Sequence, residues 1–249
     1  MSCTYEEMRS TLASDNLSNV LEDLKEFTGL SEEEILKRVM RKPKTLEISA
    51  SGWFDEEYAF YKPVSEAELR WFYLTSQSYL FSNSRKGPWL PVFELTEKDQ
   101  PILDYGAGIG INVLFLTKRN IKCWYFEIGY LQTLFFQHRM MKRGLSCDFL
   151  PVKTDWKEFS NGYFKTIILQ DVLEHIPNYE TLLVNLISSL QRGGKIIEES
   201  PFMKRGWGGL APKKMHLPDK VGLHKLMNRE GMVLEKTNFH TVRYWRKDK

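Results

Sequence analysis

The sequence predicts an α/β protein built on a mainly parallel sheet, and three observations carry that expectation. From Pro101 onward, short apolar runs (Ile102–Gly106, Cys123–Glu127, Thr166–Asp171 and Gly193–Glu199) alternate with helical stretches such as Leu131–Arg143 and Tyr179–Gln191. Strands separated by helices of that length read as βαβ units, whose crossovers favour parallel pairing. A glycine-rich segment, PILDYGAGIG, joins the first apolar run to the first helix of this region. The last two runs, Met232–Phe239 and Thr241–Trp245, follow each other with no helix between them, which predicts an antiparallel edge.

The first part of the chain reads differently. Leu17, Val20, Leu21, Leu24 and Phe27 follow helical spacing, and Gly29 is a natural stop. Ser31 and Glu34 form a capping box ahead of Ile35, Leu36, Val39 and Met40, and Pro43 ends that second helix. A third helix is expected from the Ser65/Glu68 box through Leu69, Phe72, Tyr73 and Leu80. Asn83–Pro91, with one glycine and two prolines, reads as a boundary. The organisation expected is a helical, aromatic-rich cap over residues 1–93 and an α/β domain over 94–249.

Composition narrows the function classes. The chain has 249 residues, 42% of them hydrophobic and 27% charged, so disordered and low-complexity readings fall away. A net charge of +3 is far too weak by itself to argue for nucleic acid, which is not expected as a partner. No run approaches the roughly 18 apolar residues of a membrane span, and MSCTYEEMRSTLAS lacks the charged-then-apolar pattern of a signal peptide. Three cysteines without a CxxC pair fit a reducing compartment, so the cytoplasm is expected.

The glycine loop decides which ligand is expected. Gly106, Gly108 and Gly110 alternate after Asp104, and such loops at the carboxyl edge of a parallel sheet bind nucleotides against bare main chain. A dinucleotide fingerprint would need its third glycine at 111, which is Ile111. A carboxylate two residues before the first glycine would also repel a pyrophosphate at the helix start. Asp104 suits a ligand carrying an ammonium or a sulfonium instead. The plainer alternative is a tight strand–helix turn with no ligand.

At these residues the chain resembles the class I S-adenosylmethionine (SAM)-dependent methyltransferases, over roughly Pro101 to Lys249, and in particular those of quinone and natural-product biosynthesis. The resemblance implies a Rossmann-like seven-stranded sheet with an antiparallel last strand and helices on both faces. It implies that Asp104, Tyr105, Gly106, Ala107, Gly108 and Gly110 cradle the methionine end of SAM. Glu127, 17 positions beyond Gly110 in CWYFEIG, falls where the family's ribose-binding acid stands, with Ile128 beside it. Asp155 in KTDW matches the acid that bonds the adenine amino group, with Trp156 at the ring; its plainer reading is the start of a turn. IILQDVLEHIPN matches the family's D-V-L-E-H-I signature, placing Gln170 at the pocket wall and His175 after the fourth strand as a general base or a loop-bonding residue. LQRGGKIIEESPF and MHLPDKVGLHKLMNREGMVL match the segments that follow, with Met232 in place of the usual aromatic.

The expected activity is methyl transfer from SAM, yielding S-adenosyl-L-homocysteine (SAH), to an oxygen, nitrogen or carbon of a small molecule. No metal is assigned. A metal-assisted alternative acting on RNA or protein uses Asp171, Glu174 and His175 on one face of a helical turn, completed by His216 or Glu199. A non-enzymatic partner subunit that binds SAM is a further alternative, and a homodimer is compatible with everything read so far. The absence of N-P-P-Y or D-P-P-Y after the fourth strand argues against base amino groups and glutamine amides as acceptors.

Two regions are expected to shape the acceptor side. Between Trp53 and Phe93 lie 12 of the chain's 33 aromatics, read as core packing with one or two tyrosines reaching a lid. Met203–His216 holds Lys204, Arg205, Lys213 and Lys214 with no acid, which suits a carboxylate or phosphate on the acceptor; the alternative is a solvated loop.

Overall fold

A computed structural model of the protein describes residues 19–40, 69, 72, 73, 76, 89–152, 154–160, 162–202, 219, 222–238 and 242–248. Its centre is a seven-stranded sheet in the order β3-β2-β1-β4-β5-β7-β6. The strands are β1 (Ile102–Tyr105), β2 (Cys123–Phe126), β3 (Asp148–Phe149), β4 (Phe164–Gln170), β5 (Leu190–Glu199), β6 (Met232–Asn238) and β7 (Val242–Lys247). β1 pairs with β2 and β4, β2 with β3 and β4 with β5, all parallel; β7 runs antiparallel to both β5 and β6.

The helices are α1 (Val20–Thr28), α2 (Glu32–Met40), α3 (Leu90–Phe93), α4 (Ile111–Lys118), α5 (Tyr130–Lys142), α6 (Tyr179–Ser189) and α7 (Leu223–Arg229). The stop signals act as expected: Gly29 ends α1 in the left-handed region, and the Ser31/Glu34 box closes in both directions at 3.0 and 3.3 Å. Leu69, Phe72, Tyr73 and Ser76 are helical, as the third helix requires. Asp219 accepts hydrogen bonds from the amides of Gly222 (2.8 Å) and Leu223 (2.9 Å), so it fixes the start of α7.

The apolar runs are continuous rather than alternating because both faces of the sheet are covered. Leu103, Ile167 and Ile196 pack into one cluster with α6 and α7; their chain neighbours Ile102, Ile168 and Ile197 pack into the opposite one with α4 and α5. A third cluster joins Val20, Leu24, Ile35, Val39, Phe72 and Tyr73 of the amino-terminal helices to Ile109, Ile111, Leu131 and Phe135. Phe72 and Tyr73 are therefore core residues, whereas Trp53, Phe54, Tyr58, Phe60, Tyr61, Trp71, Tyr79 and the basic segment 203–216 lie outside the described residues.

Two features position the site. Strand order reverses between β1 and β4, and ligands of open α/β sheets bind beyond the carboxyl ends at such a switch point. The register of β7 is pinned by a charge pair: Glu198 on β5 faces Arg243 on β7, and the guanidinium donates to both its carboxylate oxygens. A one-residue slip would place that buried carboxylate against no cation. Among the described residues, no helix is long and apolar enough to cross a membrane.

Candidate active site

Asp104 lies at the carboxyl end of β1 and is 2% exposed. Its Oδ2 takes no hydrogen bond among the described residues. Burial pushes its carboxyl up to about 7, with a bond from Asn112 working against burial and the charge of Glu127 adding to it. Asn112, on the first turn of α4, also accepts the backbone amide of Trp89 at 2.9 Å, and the Trp89 indole donates to Glu199 Oε2 at 3.1 Å. Trp89, the cap of α3, is thus tied across the carboxyl ends of β1 and β5.

The loop after Asp104 is shaped by bare backbone. Gly106 has φ 74°, and a Cβ there would sit 2.6 Å from Val172 Cγ2. The amides of Gly106 and Ala107 both donate to the carbonyl of Phe126, at 2.8 and 2.9 Å, which binds the loop to the end of β2. Glu127 closes the same corner: Gly108 N–H donates to one of its oxygens and Gly129 N–H to the other, each at 2.8 Å. Burial raises the Glu127 carboxyl while those amides oppose the rise. Each oxygen keeps a lone pair for a further donor.

Tyr105 stacks on Phe126 (centroids 4.3 Å, 15°), and Trp156 lies 6.0 Å from it at a tilt. Ile128 and Trp156 are half-buried against the same cluster. Asp155 is exposed, and its Oδ1 accepts the amide of Lys157 at 3.0 Å, capping the short 3-10 turn Trp156–Phe159. Gln170 ends β4 in register with Glu199.

The D-V-L-E-H segment departs from the expected helical turn. Leu173–His175 is a 3-10 turn, and Asp171 before it has φ 53°, a left-handed backbone rare for a residue with a side chain. A 3-10 turn does not bring positions i, i+3 and i+4 onto one face as an α-helix does. Among the described residues no three of His, Cys, Asp and Glu gather as metal ligands, so the set Asp171, Glu174 and His175 proposed from sequence is corrected; His216 lies outside those residues. Glu174 instead turns into the protein. It is fully buried, neither of its oxygens finds a hydrogen bond among the described residues, and burial, then the charge of Asp171, pushes it up to about 8. His175 stays about 29% exposed, with Nε2 3.8 Å from Glu174 Oε1.

Sequence reasoning missed the residues that hold the loop from behind. Tyr125 donates its hydroxyl to the Gly108 carbonyl at 2.8 Å while stacking on Phe136 at 4.1 Å. Arg139 donates to the Ile109 carbonyl at 2.7 Å. Tyr125 sits inside an apolar run and Arg139 inside a helical stretch, where residue type alone gives no sign of a bond to a distant loop.

The model of the family described as a methyltransferase domain matches residues 83–237. The chain belongs to that family. This methyltransferase shares its fold with an O-methyltransferase family protein from Burkholderia thailandensis, at 13% identity over 74% of this chain and 59% of that one, with a TM-score of 0.51. It is also similar to a type 11 methyltransferase described as putative from Sulfolobus solfataricus (17% identity, 64% and 92% covered, TM-score 0.46). A third similar structure is the O-methyltransferase of a trans-AT PKS multienzyme of Brevibacillus brevis in complex with S-adenosyl-L-homocysteine (20% identity, 54% and 47% covered, TM-score 0.43). The methyltransferase thus spans about three fifths of the Burkholderia protein and about half of the Brevibacillus one. No curated protein matches it by sequence.

The residues of this site fit SAM, the donor that the sequence resemblance implies. Asp104 offers a buried, unpartnered oxygen to a cation, and Glu127 offers two oxygens with lone pairs to paired hydroxyls. The glycine turn leaves main chain open between them.

Proposed function

We propose that this methyltransferase transfers a methyl group from SAM to an oxygen, nitrogen or carbon of a small-molecule acceptor, in the cytoplasm. The reading rests above all on Asp104, a buried carboxyl at a nucleotide-type loop whose Oδ2 has no hydrogen-bond partner among the described residues. SAM, when bound, supplies a sulfonium methyl open to in-line displacement. In this reading Asp104 and the main chain of Tyr105–Gly110 hold the methionine end and its ammonium. Glu127, with Ile128 beside it, holds the ribose. Asp155, whose second carboxylate oxygen is left over from its capping bond, takes the adenine amino group, and Trp156 packs along the ring. The backbone of Gln170 lines the pocket at the end of β4. Positioning of the acceptor and exclusion of water supply most of the rate.

His175 is the base we assign for an acceptor that bears a proton. It stands just past the end of β4, and part of its ring is exposed. His175→Ala is expected to lower kcat by about 10²–10⁴-fold while leaving the affinity for SAH unaltered. Near-normal turnover would remove it from the chemistry. The basic segment 203–216 favours an acceptor with a carboxylate or phosphate.

The first test is binding. SAH at about 100 times its Kd adds ~2.7 kcal/mol to stability, which for a chain of this size raises Tm by roughly 5–10 °C. NAD, with its pyrophosphate, is expected to give no rise. The reverse pattern would overturn the reading, and mass spectrometry of a cell extract incubated with the protein and labelled SAM would then identify the acceptor class if binding holds.

A further inference from the structure

The amino-terminal helices and the glycine loop meet at one side chain. Arg139 on α5 is completely buried, as is Asp23 on α1. Its Nε donates to Asp23 Oδ2 at 2.9 Å, and its Nη1 donates to the carbonyl of Ile109, between Gly108 and Gly110, at 2.7 Å. The same Asp23 carboxylate takes Arg143 at 2.7 Å and Lys142 at 3.0 Å. Although burial works against it, Arg139 and Arg143 hold this carboxyl below its ordinary range. Glu26, one turn further along α1, pairs with Lys142 at 2.7 Å and lies 3.8 Å from His138 Nε2.

We infer that Arg139 is a positioning residue that couples docking of the amino-terminal helices to the shape of the glycine loop, and so to cofactor affinity. A guanidinium is a fork of fixed geometry, so one branch held by Asp23 aims the other at Ile109. When α1 leaves, a buried Arg139 loses the Asp23 carboxylate, and losing one partner of a buried charge pair is costly. The Ile109 carbonyl then loses its donor, and the loop must be ordered at the expense of binding. Linkage makes the effect reciprocal: a ligand that needs the ordered loop also holds α1 in place. The affinity part rests on the reading that this loop binds SAM; the mechanical part does not.

The test compares Asp23→Asn, Arg139→Lys and Glu26→Gln with the parent protein, well below the lowest Tm among them. Amide exchange in the ligand-free proteins reads loop and helix separately, because Gly106, Ala107, Gly108 and Gly110 all donate hydrogen bonds. Asp23→Asn is expected to speed exchange in both α1 and the loop. Arg139→Lys, which keeps the charge but loses the fork, should speed exchange in the loop while α1 stays protected. Glu26→Gln should leave the loop unchanged. SAH affinity should fall by about 5–50-fold in the first two and stay level in the third. If Asp23→Asn loosens α1 but leaves loop exchange at the parent rate, the relay is wrong whatever SAH does. If the parent binds no SAH, the functional reading fails, and the exchange rates still decide the relay.

Discussion

Asp104→Asn is expected to weaken SAH binding by about 10–150-fold, the loss of one charge-assisted hydrogen bond worth ~1.5–3 kcal/mol. The ligand-free variant should be no less stable than the parent at pH 8. Both expectations come from the same observation: the carboxyl is buried, its Oδ2 has no partner among the described residues, and burial pushes it up to about 7. A folded-state pKa above the unfolded value means that this group favours the folded chain below the ordinary carboxylate range. That contribution is lost as pH rises from about 4 through about 7. A ligand ammonium reverses the preference, because it favours the ionised form. SAH affinity should therefore climb about tenfold between pH 6 and pH 8 and then level off. Titration calorimetry across that range checks it, and the slope should vanish in Asp104→Asn. A flat profile in the parent together with unchanged affinity in the variant would remove Asp104 from the cofactor site.

Gly110→Ala should cost about 2–5 kcal/mol of stability, from two separable causes. The left-handed backbone, φ 72°, penalises any side chain by ~1–2 kcal/mol. A Cβ would also lie 2.0 Å from the Phe136 ring, which is fully buried and stacked on Tyr125, so the ring has nowhere to retreat and overpacking adds ~1–3 kcal/mol. For a chain of this size the sum is a fall in Tm of about 4–20 °C. Gly29→Ala is the control: it shares the left-handed backbone, φ 68°, but nothing lies within 4 Å of its Cβ. Calorimetry that found equal losses at the two positions would show that the contact with Phe136 is unimportant. A loop pushed off Phe136 would also move Gly108 away from Glu127, so SAH affinity should fall in the Gly110 variant and hold in the control.

The frame of the protein was legible in the chain because it is set by local signals. The apolar runs are β1, β2, β4 and β5, and the helical stretches are α5 and α6 within a residue or two of their expected bounds. Gly29 and the Ser31/Glu34 box act over four residues, and the distance from Gly110 to Glu127 follows from the length of one helix and one strand. β3 is only two residues long, too short to leave a pattern. The letters D-V-L-E-H fit either kind of helix, so the sequence does not distinguish the 3-10 turn at Leu173–His175; Asp171 before it donates its amide to the Glu199 carbonyl at 2.8 Å.

The sequence by itself determined the fold class, the order of its elements and the acids at the ends of the first two strands. Each depends on residue type and short spacing, which the chain carries in one dimension. Only the tertiary structure decided that Glu174 points inward while His175 stays partly exposed, that Asp104 is held by Asn112, and that Tyr125 and Arg139 brace the loop from behind. Those contacts join residues from 8 to 116 positions apart, and Arg139 reaches Asp23 only because α1 packs on α5. Long-range pairs of that kind are fixed by the fit of packed faces, which no local pattern records.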